Sequence, residues 1–510
     1  YGAPDLPEVA YELPVKDEKG ARILSLEYLE AYSQSDITIS PALGSQIVGR
    51  PRKPRIKGEI YAQDAQYPVE RLVLGDPYYV DGGWFQMLYV YPCVYNPVRC
   101  ELQTALLTKL TLEGVRTALQ QTQATRGFYS DDETGALLVV TPAHYLELLQ
   151  PLIDWKRERG LNVEVLIYGD PVAGYEHVNT TDALRDYIRT KYQQGIGALK
   201  FVLLVGNRTE VPPLRCTGTS GLADSDQRYG QIVGSDAKNE VYVGRFSAYT
   251  DEHIRTQIAR VLWYERDVRH NERGYLRALC IASNEGEQIG DNNETDVEHT
   301  EVMRNLLLES GYAHVTPLYD GKSGELVQPF EVSEAINKRV GVITYVGHGT
   351  ENRWETSKFS GQEIQQLERN DTHPVIFNTA CDNGKMESGS CFAEYWLWAQ
   401  RGGHPTGAIG ICASSDLQYW DAPMRGQDAM LEYFTKKREL PYVVTLGGII
   451  SKGINEMLRY YHDTPNSPGR ITAETWNIFG DPSVVLRTRT PEVLTVSHPN
   501  SVLSTDTSME

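Results

Sequence analysis

The stretch HPVIFNTACDNG, residues 373–384, sets the architecture. Its run PVIFNTA (374–380) is too short for a helix and rich in β-branched and aromatic residues, and it stops at Cys381 against the turn formers Asp382-Asn383-Gly384. Such a run reads as a strand buried on both faces, the kind found in parallel sheets covered by helices. The question it raises is whether Cys381 is a packed sulfur or a thiol presented at the sheet's carboxyl edge.

Working outward, the same texture recurs. GALLVV (135–140), NVEVLIY (162–168), KFVLLVG (200–206), EVYVGRF (240–246), ALCIAS (278–283), VGVITYVG (340–347) and TGAIGICAS (406–414) are further apolar runs. Between them lie segments with apolar residues at helical spacing, at 144–160, 182–195, 252–267 and around 297–310. Alternation of this kind predicts an α/β fold with parallel sheets and helices on both faces, here as two units that divide near 265–277. Residues 1–126 differ: YYVDGGWFQMLYVYPCVYNPVRCEL alternates aromatics with turn formers and predicts a β-rich domain. Past Asp481 the chain turns Ser/Thr/Pro-rich, so 489–510 reads as a linker and the start of a further β-domain.

Composition narrows the classes. The chain has 510 residues, room for about two to four domains. A net charge of -19 argues against nucleic acid and anionic membranes as partners. No apolar run reaches the roughly 18 residues of a membrane-spanning helix. The opening at Tyr1 predicts a processed terminus with an export signal removed, hence a secreted or bacterial cell-surface protein. Seven cysteines without a C-x-x-C pair argue against a structural zinc site; Cys93 and Cys100 are spaced to clip a hairpin.

Two strand ends carry the chemistry. VGVITYVG delivers His348-Gly349, and PVIFNTA delivers Cys381. Ligands of open α/β sheets bind at the strands' carboxyl ends. A thiolate attacks a carbonyl; a neighbouring imidazole can take the thiol proton and return it to a leaving amine. Gly349 lets backbone approach the substrate, so its N–H and that of Cys381 could face a developing oxyanion. Taken alone, Cys381 is more often a buried, inert thiol. Cys391, heading the amphipathic CFAEYWLWAQ, and Cys280 and Cys412 inside strands read as core.

TYVGHGTENRW (344–354), NTACDNG (378–384), CFAEYWLWAQ (391–400), QIVGSDAKNEVYVGRF (231–246), CIASNEG (280–286), APMRGQD (422–428) and NIFGDPSVV (477–485) together resemble the gingipain family of cysteine endopeptidases, which have a caspase-like fold. YPCVYNPVRCEL (91–102) resembles the family's propeptide. The resemblance implies a zymogen: an inhibitory prodomain over 1–126, two α/β catalytic subdomains over 127–268 and 269–488, and the opening of an immunoglobulin-like module. It implies Cys381 as nucleophile, His348 as base and acid, and Glu285 as the carboxylate that orients His348. Asp296 corresponds to the acid of the primary specificity pocket, with Gln418 and Trp420 as its walls, which favours arginine before the scissile bond and lysine second. Calcium is implied at Asp236, Glu240 and the carbonyls of Val233 and Lys238, and in a second region at Glu294 and His299. Asn207 and Ala429 depart from the acids expected there.

An arginine-specific enzyme can process itself, and the polar segment QQTQATRGFYSDDETG (120–135) offers Arg126 for that cut. Before the cut, one of Arg126, Arg99 or Arg55 is expected to block the pocket against Asp296. The partners are then arginine-bearing peptides and the chain's own prodomain. A transpeptidase using the same Cys–His pair and a non-catalytic binding module are the alternatives.

Overall fold

The apolar runs pair edge to edge into one ten-stranded sheet rather than two. The computed structural model describes residues 1–492 except 29–31, 81, 117–134, 173, 175–176, 196–198, 269–271, 322–323, 370 and 437–444. A three-stranded sheet of the N-terminal domain comprises β1 (Val9–Val15), β2 (Leu72–Val80) and β3 (Gly83–Val90). The large sheet comprises β4 (Ala136–Thr141), β5 (Asn162–Ile167), β6 (Leu199–Val205), β7 (Tyr242–Phe246), β8 (Arg277–Ala282), β9 (His314–Tyr319), β10 (Val342–Val346), β11 (Val375–Thr379), β12 (Gly410–Ser414) and β13 (Trp476–Gly480).

Its order is β5-β4-β6-β7-β13-β12-β11-β10-β8-β9. Neighbours run parallel except at β12–β13. That one antiparallel joint sets the strands of 136–246 against those of 277–414, so their carboxyl ends lie on opposite edges. The sequence boundary near 268 does not divide the sheet, because β13, far downstream, pairs with β7 of the first half. The reach of 476–480 back to β7 is a long-range contact that no local pattern carries.

Both faces of the sheet are covered, and β7, β10, β11, β12 and β13 are buried at every position. The helices that cover them start where side chains can satisfy free N–H groups. In α1 (Leu146–Glu158) the stop is Gly160 at φ +94°, and α2 spans Thr181–Gly195. Thr250 caps α3 (Asp251–Glu265); Thr295 and Glu298 form a reciprocal capping box on α4 (Asp296–Glu309). Further helices are α5 (Phe392–Trp398), α6 (Asp421–Phe434) and α7 (Leu446–Tyr461). The two halves are also tied by Lys156, fully buried, whose Nζ lies 2.9 Å from Glu265 on α3 and 2.8 Å from Asp481 just past β13. Removing one member of such a pair leaves a buried charge uncompensated, at a cost of about 3–5 kcal/mol.

The N-terminal domain is all antiparallel, with β3 between β1 and β2 and two smaller sheets beside them. Cys93 and Cys100 do not clip the hairpin: both are free thiols, Cys93 facing Thr104 and Cys100 the carbonyl of Pro97. Residues 493–510, expected to begin a further module, lie outside the described residues.

Candidate active site

Strands β10 and β11 pair in register, Val346 opposite Thr379, so the residues after each strand emerge side by side at one edge. After β10 the chain turns through Gly347, at φ +154°, whose N–H donates to the Thr379 carbonyl (3.2 Å). His348 and Gly349 come next. A Cβ on Gly349 would lie 2.5 Å from the Cys381 carbonyl oxygen and 2.9 Å from the Ala380 Cβ. Only glycine permits that approach, and it seats the His348-Gly349 backbone against Ala380-Cys381. Asp382, at φ 56°, begins the turn that leaves Cys381 at the edge.

Glu285 arrives from the neighbouring strand β8, three residues past its end. Its Oε2 lies 3.0 Å from His348 Nε2. That bond is the chief reason His348 is held above its ordinary value, partly opposed by burial, and it lowers Glu285 in turn. With Nε2 on Glu285, Nδ1 faces away from it. The edge of the Trp420 ring stands over the imidazole at 5.6 Å and 88°. The Cys381 Sγ accepts the Gln418 backbone N–H (3.2 Å); burial pushes its thiol up to about 12, with lesser rises from Asp382 and Asp416.

Asp296 is the first residue of α4, where an anion meets free N–H groups. It is fully buried, accepts the Ser283 hydroxyl on Oδ2, and gives its N–H to the Glu285 carbonyl (3.0 Å). Its Oδ1 has no partner among the described residues, and burial pushes it up to about 7. A side chain at Gly286 would meet that oxygen at 2.8 Å, so glycine keeps the approach open. The side-chain amide of Gln418 is likewise buried without partners among the described residues. The structure thus gathers Cys381, His348, Gly349, Glu285, Asp296, Gln418 and Trp420 at one edge.

Asp416 is a further member of this edge that the sequence reading did not single out. Its carboxylate accepts from the Ser220 N–H (3.0 Å), the Ser220 hydroxyl and Thr219, and its carbonyl accepts the Asp382 N–H (3.2 Å). It pins the turn 217–221 from the other half of the sheet beside the nucleophile's loop. An aspartate in SSDLQYW gives no local sign of partners almost two hundred residues away.

The N-terminal domain enters this site. The Val48 N–H donates to the Gln418 carbonyl (2.8 Å), and the Trp420 N–H donates to the Gln46 carbonyl (2.9 Å), an antiparallel pairing centred on Ile47 and Tyr419. The chain then leaves through a turn closed by the Arg50 N–H on the Ile47 carbonyl (3.2 Å), with Gly49 at φ +75° and His348 Nδ1 3.9 Å from its Cβ position. Neither expected arginine among the described residues is there. Arg55 pairs with Asp5 (3.2 Å) and Arg99 with Asp64 (2.7 Å), because acids of their own domain lie within reach. Arg126 falls outside the described residues.

Of the expected cation ligands, Asp236 and Glu240 lie in the first half, away from this edge. Burial pushes Asp236 up to about 6 and Glu240 to about 8, with Asp236 adding to the rise on Glu240. Glu240 Oε2 accepts the N–H groups of Ile232 and Val233, while Oε1 is buried without a partner among the described residues. The Lys238 N–H bonds Asp236 (3.0 Å). A buried carboxylate with a free oxygen beside a half-buried one suits a hard cation. Behind Asp296, ligand atoms of Glu294, His299 and Asp428 lie within 4.8 Å of one another. Asp428 was not among the expected ligands. His299 Nε2 faces Gln427 Oε1 (3.0 Å), and the Gln427 amide donates to the Tyr345 and Phe377 carbonyls, so Nε2 carries the proton and Nδ1 faces the two acids. This mixed nitrogen–oxygen set is not what calcium favours.

Known proteins share both the sequence and the fold. The profile of peptidase family C25 matches residues 130–487, and that of the C25 propeptide matches residues 1–131. Gingipain R2 of Porphyromonas gingivalis is 32% identical over 530 residues, covering 98% of this chain and 69% of that protein. Gingipain R1 of the same species is 32% identical over 535 residues, and the chain spans 52% of its length. The crystal structure of the Arg-specific cysteine proteinase gingipain R (RgpB) superposes with a TM-score of 0.68 at 37% identity, covering 73% of this chain and 83% of that one. The complex of RgpB pro- and mature domains gives 0.66 at 37% identity, covering 72% and 84%.

Proposed function

This chain belongs to peptidase family C25, the gingipain-type cysteine endopeptidases, and carries that family's propeptide; we propose that it hydrolyses peptide bonds after arginine, with Cys381 as nucleophile, His348 as base and acid, and Glu285 orienting the imidazole. The observation that carries this reading is the His348–Glu285 bond of 3.0 Å on a backbone seated against Cys381. His348 Nδ1 takes the thiol proton as sulfur attacks the scissile carbonyl. The carbonyl oxygen becomes an oxyanion facing the N–H groups of Gly349 and Cys381. The amine leaves with the proton from His348, and water then cleaves the thioester by the same route in reverse.

Arginine is the residue expected before the scissile bond. Supporting this, Asp296 Oδ1 is buried without a partner among the described residues, as is the Gln418 side-chain amide, and a guanidinium answers a carboxylate with parallel N–H bonds. Among the similar proteins, RgpB is described as Arg-specific.

In the uncut chain, residues 46–48 pair with Gln418–Trp420, and the Gly49 turn lies beside His348. Cleavage after Arg126 would free the domain carrying them. Calcium fits Asp236 and Glu240, with the carbonyls of Val233 and Lys238, as a stabiliser of the loop 231–240; it would bring charge compensation there and no chemistry.

The test is turnover of fluorogenic peptide amides ending in arginine, lysine or citrulline after residues 1–126 are removed. Thiol-dependent release from arginine first, lysine second and citrulline not at all is the expected order. Absence of turnover by a folded protein would sink the endopeptidase reading; equal turnover of citrulline would sink the pocket.

A further inference from the structure

Residues 45–49 of the N-terminal domain meet the catalytic edge in one register. Ile47 stands opposite Tyr419, the Val48 N–H reaches the Gln418 carbonyl (2.8 Å), and the Trp420 N–H reaches the Gln46 carbonyl (2.9 Å). Continued by two residues, that antiparallel register sets Ser45 opposite Asp421, the first residue of α6. Directly opposed side chains are the ones that meet across an antiparallel pair. Here they do, with Ser45 Oγ donating to Asp421 Oδ2 at 2.6 Å.

Ser45 is the residue whose side chain addresses the catalytic domain by a hydrogen bond. Gln46 turns back on its own loop, its amide donating to the carbonyls of Leu43 (3.3 Å) and Gly44 (3.0 Å) and accepting the Lys53 N–H (2.7 Å). Ile47 and Val48 have no polar side-chain group to offer. Before Ser45 the chain bends away at Gly44, φ +68°. On the catalytic side, Asp421 Oδ1 takes the Ala422 N–H (2.9 Å), and Asp421 makes no ion pair among the described residues. Arg425, one turn along α6, is held instead by Asp291 (3.7 Å) and the Tyr460 ring (3.9 Å). Burial pushes the Asp421 carboxyl up to about 6, while the Ser45 hydroxyl and the Ala422 N–H pull it back down. Asp421 is therefore a desolvated acceptor that lacks a cation.

A peptide laid on the same edge presents the bond after position 48 to the thiol. The Gln418 N–H lies on Cys381 Sγ (3.2 Å), the Gln418 carbonyl takes the N–H of position 48, and the Cβ position of residue 49 lies 3.9 Å from His348 Nδ1. Peptides added to a sheet edge are held by main-chain bonds and selected through their side chains. We propose that Asp421 is a specificity-determining residue that selects a short hydroxyl side chain, serine or threonine, at the fourth residue before the scissile bond. This rests on the reading of Cys381 and His348 as a peptidase pair, and it concerns a different substrate position from the one assigned to Asp296. A hydroxyl given to a carboxylate is a charge-assisted bond worth about ten- to a hundredfold in affinity. Alanine leaves the carboxylate bare, and glutamate meets it with like charge.

For the experiment the full chain is folded intact, and its N-terminal domain is then cut off at a protease site placed within 117–134 and separated. Turnover at pH 8, well above the Asp421 value, compares acetyl-Xaa-Gln-Ile-Arg fluorogenic amides in which Xaa is serine, threonine, alanine or glutamate, with Gln-Ile copying residues 46–47. The expected kcat/KM is about tenfold or more higher for serine than for alanine, with threonine within about threefold of serine. Glutamate falls about tenfold or more below alanine. In Asp421→Ala the serine-to-alanine ratio drops to within about threefold of one, and the glutamate deficit closes. Each value is a ratio of two peptides on one enzyme sample, so a variant that folds only in part does not alter it, and the wild-type series needs no variant. Equal turnover of the serine and alanine peptides by the wild type would overturn the subsite and leave the peptidase reading standing. A serine preference that survives Asp421→Ala would do the same. Absence of thiol-dependent turnover of all four peptides would overturn the peptidase reading and the subsite with it.

Discussion

Alkylation of Cys381 in the uncut chain should be slow, and the structure gives a magnitude. Cys381 is 2% exposed, and its thiol is pushed up to about 12. At pH 8 about one such thiol in ten thousand is ionised, against roughly a quarter for an ordinary thiol near 8.5. That is a deficit of about 2,000-fold in thiolate. A more basic thiolate is a better nucleophile; with a Brønsted slope of about 0.4 this returns roughly 30-fold. The ionisation term wins, leaving Cys381 about a hundredfold slower than a free thiol before steric cover is counted. Cys93, half-buried in the N-terminal domain, is the internal reference. The assay is iodoacetamide labelling at pH 8, quenched over time and read peptide by peptide by mass spectrometry. Removal of residues 1–126 takes the Val48–Gly49 cover from Gln418 and His348, and labelling of Cys381 should then rise at least tenfold. If Cys381 in the uncut chain is labelled within about threefold of Cys93, the burial argument fails. If removal leaves the rate unchanged, the N-terminal domain is not what keeps the thiol dormant.

Other sites give further expected outcomes. Asp296→Asn should lower kcat/KM for arginine amides by about two to four orders of magnitude, since a buried charge pair broken on one side costs about 3–5 kcal/mol; an unchanged kcat/KM would remove Asp296 from the pocket. His348 is held above its ordinary value and Glu285 below its own, so their pair stabilises the fold where both are charged, above about pH 4.5 and below about pH 6.5. That contribution is lost as pH rises through the raised histidine value or falls through the lowered glutamate value. Because the His348 and Glu285 side chains are 30% and 54% exposed, Glu285→Gln should cost under about 1 kcal/mol at pH 6 and nothing at pH 9 by chemical denaturation. Gly49→Val forces a branched residue into φ +75° at a cost of about 1–3 kcal/mol, so residual activity of the uncut chain should rise about 5- to 100-fold; no change would mean the turn does not hold latency. If the calcium proposed at Asp236 and Glu240 binds there, chelation should lower Tm by several degrees, since saturation at about 100 Kd is worth about 2.7 kcal/mol, and Glu240→Gln should abolish the effect.

How far these features were legible in the sequence depended on their range. The apolar runs announced strands because burial on both faces imposes composition position by position, and apolar residues at helical spacing announced the helices between them, though their caps at Thr250 and Thr295–Glu298 were seen only in the structure. Cys381, His348 and Glu285 could be named from the ends of runs and from family likeness; that β8, β10 and β11 lie side by side, so that the three residues come to one edge of the sheet, is a matter of strand order. The pairing of 46–48 with Gln418–Trp420 gave no signal at all: SQIVGR is an ordinary polar–apolar stretch, and of the three arginines offered for the pocket, Arg55 and Arg99 are taken by acids of their own domain while Arg126 lies outside the described residues. Asp416 was silent for the same reason.

The sequence by itself determined which segments are strands and helices, that the first 126 residues are of another texture, and which family the chain resembles. Those properties reside in periodicity, capping and residue type, which act over a few neighbours. Tertiary structure alone decided that the two halves share one sheet with opposed strand directions, through the return of 476–480 to β7. It alone decided that Cys381 is buried and that residues 46–48 pair with Gln418–Trp420 beside it. Both depend on contacts between segments hundreds of residues apart, where the free energy comes from burial and backbone pairing that any apolar strand or any main chain can supply, so the local sequence leaves the partner unnamed.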